Sequence, residues 1–230
     1  MDHHWVYVTL SNEDKIAIFM MDRDSGRLDF LDTVEVPGLP APMALDPSRR
    51  FLFVGRRGDL KLSTFSIDEN SGRLSHIAAI SVDSDPCYLA TDRNGRYLFS
   101  AYYSAGRVGV HGISDDGTLD EEPTEWLETA PGAHCIQADE SNQFVFVPHI
   151  AGSTGPNMIL QFRFDEDTGR LTPNSPHRVT PDHEDGPRHF CFHPFLGMVY
   201  FSDEQGSSVT AYKFDSDLGT LMPVQTVSTL

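Results

Sequence analysis

"DSGRLDFL", residues 24–31, returns along the chain as "NSGRLSHI" (70–77), "DDGTLDEE" (115–122), "DTGRLTPN" (167–174) and "DLGTLMPV" (217–224). The glycines of the five copies, Gly26, Gly72, Gly117, Gly169 and Gly219, fall about 45 to 52 residues apart. An alternating segment precedes each copy: "IAIFMMD", "LKLSTFSID", "RVGVHGISD", "MILQFRFD" and "SVTAYKFD". Successive side chains of a strand face opposite ways, so alternation that runs into Asp or Asn and then Gly reads as a strand entering a hairpin turn.

Upstream of each alternating segment lies a hydrophobic run: "WVYVTL", "RFLFVG", "RYLFSAYY", "QFVFVP" and "MVYFSD". In four of the five units a further short segment comes first: "PMALDPS", "PCYLATDRNG", "HCIQADESN" and "RHFCFHPF". No amphipathic helical stripe competes. Each unit therefore carries about four strands, and four strands repeated at this period mark a β-propeller blade. The expected fold is an all-β propeller of four-stranded antiparallel blades, a single domain over residues 1–230. The first blade lacks its inner strand. About five blades are present, and the chain stops after the outer strand of the fifth with nothing to complete the first, so it reads as an open arc truncated at its C-terminal end, with a five-bladed ring as the alternative.

Composition narrows the function. The chain has 230 residues, 34 acidic against 17 basic, and a net charge of −17. A surface of that sign disfavours nucleic acid and anionic membranes. No apolar run reaches the length a bilayer requires, and "MDHHWVYVTL" has neither the basic region nor the cleavage site of a signal peptide, so a cytoplasmic location is expected. The three cysteines, Cys87, Cys135 and Cys191, sit far apart in apolar segments and read as buried free thiols. "DHH" (2–4) and "DHED" (182–185) lack the spacing of a metal site, and there is no GxSxG elbow, P-loop or dinucleotide fingerprint. No metal and no cofactor are expected.

The repeat also exposes its exceptions. Where a blade's first strand begins, the equivalent positions are Pro42, Pro86, His134 and Arg188. Proline suits the start of a strand, where no ladder donor is needed; His134 and Arg188 break that pattern. Where the second strand ends, the equivalents are Arg56, Tyr102, His149 and Glu204, followed by Arg57, Tyr103, Ile150 and Gln205. Both sets of ends open on the same mouth of a propeller. Glu204 follows Arg188 by one hairpin and returns to the same rim. His134, Arg188 and Glu204 thus supply a base, a fixed cation and a carboxylate, the parts of acid/base chemistry on an anionic substrate. Arg188 paired to Glu204 as mere scaffold is the competing reading. Around them, Arg56, Arg57, Tyr103, Arg107, His149 and Asp203 are the candidate substrate-binding residues. His193, in the turn after a first strand, reads as scaffold.

These residues resemble a known family, the seven-bladed propeller lactonases, which comprise bacterial propeller-type 6-phosphogluconolactonases and fungal carboxy-cis,cis-muconate cyclases. The likeness is carried by "GPRHFCFHP" (186–194), "VYFSDEQGSSV" (199–209), "AHC" (133–135), "YYSAGRV" (102–108) and the repeated turns. It implies hydrolysis of a small anionic lactone without a metal, most specifically 6-phosphogluconolactone to 6-phosphogluconate in the pentose phosphate pathway, with His134, Arg188 and Glu204 as the site. The family pattern often has asparagine where this chain has Asp203, and it supplies a further arginine from a late blade absent from residues 1–230. Two alternatives stay open: a carboxymuconate-type lactone cycloisomerase, and a non-catalytic propeller that serves as a binding platform. The sequence specifies no oligomeric state.

Overall fold

The computed structural model describes residues 3–152 and 155–230. Among the described residues, nineteen strands form five antiparallel meanders, each sheet running in chain order. The first sheet has three strands, β1 (His3–Leu10), β2 (Lys15–Asp22) and β3 (Leu28–Glu35). The second is β4 (Pro40–Leu45), β5 (Phe51–Arg56), β6 (Lys61–Ile67) and β7 (Leu74–Ser81). The third is β8 (Tyr88–Thr91), β9 (Tyr97–Tyr102), β10 (Arg107–Gly112) and β11 (Glu125–Glu128). The fourth is β12 (Gln137–Ala138), β13 (Phe144–His149), β14 (Met158–Asp165) and β15 (Arg170–Val179). The fifth is β16 (Pro187–Phe192), β17 (Met198–Asp203), β18 (Ser208–Asp215) and β19 (Thr220–Ser228). The only helix among the described residues is a single 3-10 turn, Ser11–Glu13.

The core lies between sheets rather than within one. Four apolar clusters fill the four junctions; Phe53 and Leu62 meet Leu89 and Leu98 in one, and Phe146 and Ile159 meet Phe190 and Phe201 in another. This explains why the second strand of each middle blade is a continuous apolar run. β9 and β13 are buried at every position because they have a neighbouring sheet on each face. In the last sheet only one face is covered, and alternation returns: Val199 and Phe201 are buried, whereas Tyr200 and Ser202 face outward. Cys191 shares that outward face. It is exposed, contrary to the expectation of three buried thiols, because it alternates with the inward Phe190. Cys135 is buried and Cys87 half-buried.

The repeated turns hold the blades together. All five repeat glycines have positive φ, between 67° and 85°, a conformation that strains any residue with a β-carbon. Four of them also lie bare against an aromatic ring of the preceding blade: Gly72 on Trp5 of β1, and Gly117, Gly169 and Gly219 on Phe51, Tyr97 and Phe144, the first residues of β5, β9 and β13. At the turn after each first strand, Asp46, Asp92 and Asp139 accept hydrogen bonds from the backbone N–H groups of Phe51, Tyr97 and Phe144. His193 takes the corresponding place and accepts from Phe195 and Leu196 through Nδ1.

Among the described residues no cluster of His, Cys, Asp and Glu has the geometry to hold a metal ion, and no helix is long and apolar enough to cross a membrane. Asp2, part of the "DHH" segment, lies outside the described residues.

Candidate active site

First-strand starts and second-strand ends from four blades converge on a cavity of about 530 Å³. Met43, Tyr88 and Leu89 give it an apolar wall; Arg57, Tyr103, His134, Arg188, His189 and Glu204 supply its polar groups. His134 stands just before β12, where its backbone N–H donates to Pro148 at 3.1 Å. Beneath the cavity, Gln137 ties three inner strands together: its Nε2 donates to the Tyr88 hydroxyl at 2.7 Å and to the Phe190 carbonyl at 3.1 Å. The segments that carry His134 and Arg188 are thereby tied to each other across the blade junction.

Arg188 and His189 are consecutive, yet both reach the cavity. The pairing of β16 with β17 slips between Pro187 and His189, and a bulge of this kind re-aims a side chain that strict alternation would send to the other face. The His189 ring meets His134 edge to face at 5.0 Å between centroids and lies 5.5 Å from Tyr88. Tyr103 contacts His134 from the other side at 5.6 Å. His189 escapes a reading based on alternation, although a signal was available: its repeat equivalents are Met43, Cys87 and Cys135, and it alone in that column is a base.

The charges are arranged in pairs. Arg188 Nε lies 2.6 Å from Glu204 Oε2, an ion pair off the N–H direction. The two side chains are 39% and 41% exposed, so the pair remains open to a ligand. Glu204 Oε1 accepts from Gln205 at 3.2 Å. Arg57 donates from Nε and Nη2 to Asp85 Oδ2 at 3.2 and 2.6 Å. Burial, followed by the nearby Arg188 guanidinium, lowers the pKa of His134. The same causes, with His134 added, push His189 down to about 4. Both imidazoles are therefore neutral near pH 7, the form that accepts a proton. His134 Nδ1 is buried without a partner. The Cys87 thiol borders the cavity, but burial pushes it up to about 11, which excludes a resting thiolate there.

Four candidates lie elsewhere, and one register step accounts for three of them. Pairing places Asp203, the last residue of β17, level with Arg56, Tyr102 and His149; Glu204 is then the equivalent of Arg57 and Tyr103. Side chains alternate, so one set faces the cavity and the other faces into the blades. Arg56 pairs with Asp59 and reaches Ser63. His149 is fully buried, with Nδ1 3.1 Å from the Val147 carbonyl, and burial holds its pKa near 4. Asp203 accepts from Ser208 and Thr210 at 2.9 and 2.7 Å, and burial raises its pKa. Arg107 begins a third strand, farther from the axis, where it pairs with Glu128 at 2.8 Å over the Trp126 ring.

Known proteins share both the sequence and the arrangement. The chain is 31% identical over 225 residues to a 6-phosphogluconolactonase of Yersinia enterocolitica, covering 98% of this chain and 65% of that protein. A Yersinia pestis protein of the same description is 32% identical over 212 residues, covering 92% of this chain and 61% of its own length. The chain therefore spans somewhat less than two thirds of these relatives. Among solved structures, a Bacteroides fragilis candidate 6-phosphogluconolactonase superposes with a TM-score of 0.86 at 23% identity, over 99% of this chain and 68% of that one. The periplasmic gluconolactonase of Pseudomonas aeruginosa gives 0.83 at 22% identity, over 99% and 68%. At such identities the superpositions speak for the fold. The family described as "Lactonase, 7-bladed beta-propeller" matches residues 5–230. The match spans nearly the whole chain, and the fold agrees with it: the chain belongs to the seven-bladed β-propeller lactonase family.

Proposed function

We propose that the cavity hydrolyses a small anionic sugar lactone, most specifically 6-phosphogluconolactone to 6-phosphogluconate, a step of the pentose phosphate pathway, in the cytoplasm. The observation that carries this is the meeting of a neutral His134 with the Arg188–Glu204 pair in one accessible cavity. In the proposed step, His134 takes a proton from water as the water oxygen attacks the lactone carbonyl. Arg188 stabilises the oxyanion that forms. As the tetrahedral intermediate collapses, the bond from the carbonyl carbon to the ring oxygen breaks. The proton held on His134 passes to the departing alkoxide, which leaves the imidazole neutral and the product as a carboxylic acid, whose remaining proton is then lost to solvent to give the carboxylate. Glu204 steadies the Arg188 guanidinium, and His189 packs on the His134 ring and fixes its orientation.

A binding-platform role is less well supported, because it calls for an Arg188–Glu204 pair shut away from ligands. Hydrolysis of 6-phosphogluconolactone by the 230-residue chain, above the uncatalysed rate, tests the proposal. Arg188→Ala is expected to lower kcat/KM by well over tenfold, as loss of an oxyanion donor does. Unchanged turnover would remove Arg188 from the mechanism. Conversion of a carboxymuconate with no lactone hydrolysis would favour the cycloisomerase instead.

A further inference from the structure

The cavity holds two arginines, and each already has a carboxylate. The two pairs differ in kind. Glu204 is part of the cavity lining, whereas Asp85 is not. Asp85 lies on the connection between β7 and β8 and reaches Arg57, on the β5–β6 turn, across 28 residues of sequence. Nε and Nη2 of Arg57 converge on the single oxygen Oδ2, the edge of a guanidinium that a phosphate or carboxylate would take from a ligand. Among the described residues the other oxygen, Oδ1, has only Ser84 Oγ, at 3.5 Å. With side chains 46% and 29% exposed, the pair is weak enough to exchange for a better anion.

We infer that Asp85 is an internal competitor at an anion subsite on Arg57, and that it sets how strongly the cavity distinguishes a phosphorylated lactone from an uncharged one. The inference rests on the lactonase reading of this cavity. A ligand phosphate must displace the Asp85 carboxylate and then bind beside its charge, so both the contact and the repulsion work against it. Asp85→Asn keeps the size and removes the charge. An uncharged ligand in the same cavity has no use for Arg57 and is indifferent to the change.

Calorimetric titration tests this with three probes: 6-phosphogluconate, sorbitol as an uncharged sugar of the same chain length, and inorganic phosphate. Asp85→Asn, with Asp85→Ser as a second variant, is expected to tighten 6-phosphogluconate and phosphate by about three- to tenfold, the scale of one exposed ion pair and one like-charge contact. Sorbitol should move by less than about twofold. In an Arg57→Gln background the gain should vanish. The inference is overturned if sorbitol and 6-phosphogluconate shift together, if phosphate binds neither protein, or if the gain survives loss of Arg57. Inorganic phosphate separates this from the lactonase assignment. Tighter phosphate binding in a chain that hydrolyses no lactone would leave the subsite standing and refute the assignment; turnover with unaltered phosphate affinity would do the reverse.

Discussion

Alanine at Gly169 is expected to destabilise the protein by about 2–5 kcal/mol, whereas the same change at Gly26 should cost only about 1–2. The two residues have nearly the same backbone, with φ of 71° and 70°, and a left-handed conformation penalises any β-carbon by about 1–2 kcal/mol. They differ in what the new methyl group would meet. At Gly26 nothing lies within 4 Å, whereas at Gly169 the methyl would overlap the Tyr97 ring. Tyr97 has little room to yield. It is 8% exposed, its hydroxyl donates to the Asp167 carbonyl at 3.1 Å, and its ring packs on Phe164 at 5.7 Å. Overpacking of a well-filled core adds about 1–3 kcal/mol to the backbone strain. Urea unfolding at pH 7, followed by tryptophan fluorescence and far-UV circular dichroism, reads the difference. With a slope near 2–3 kcal/mol/M, the Gly169→Ala midpoint should fall by roughly 1–2 M and the Gly26→Ala midpoint by less than about 1 M. Equal losses would refute the reasoning, since strain alone would then account for both glycines and the ring contacts between blades would carry no weight.

With His134 as the proposed base, the acid limb of kcat/KM for lactone hydrolysis should lie below pH 6.5, because burial and Arg188 lower the pKa of His134; a limb above that value would exclude His134. Stability should also fall with acid. His149 is held near 4 in the fold, against about 6.5 unfolded. The unfolded chain therefore binds the extra proton, and this group's contribution, complete above pH 6.5, is lost as the pH falls toward 4. Between pH 7 and 4.5 the wild type should lose about 2 kcal/mol more than His149→Phe in urea titrations, and parallel losses would contradict the assignment. A disulfide reagent should titrate one thiol rapidly in the native protein and three after unfolding, since Cys191 is exposed while burial protects Cys87 and Cys135. Rapid native reaction of two would show that the inner strands open.

The architecture was legible because the repeat is written in the residues that physically make it. A turn that needs positive φ shows its glycine, and an alternating strand shows its period, so five copies give five blades and a missing first segment gives a three-stranded sheet. Part of the site was legible for the opposite reason. His134 and Arg188 stand where Pro42 and Pro86 satisfy the fold, and a repeat makes such a departure visible. The exposure of Cys191 was harder to read, because an apolar neighbourhood in sequence does not reveal which face of a blade has a neighbour.

What stayed hidden was phase. An alternating strand read one residue out of step sends every side chain to the wrong face. Aligning Glu204 with Arg56 and His149, instead of with Arg57 and Tyr103, assigned blade-facing residues to the cavity. The hydrophobic pattern cannot fix this step in β9 and β13, since both faces of those strands are buried and apolar residues occupy either phase. His189 illustrates the converse. A bulge suspends alternation at Pro187–His189 and admits two adjacent side chains to one cavity. A local break in the ladder is set by pairing across the sheet, and a single strand's sequence does not record it. In this propeller the polar groups of the cavity gather where the strands end or slip, so the parts of the chain that line the cavity are those where periodicity says least.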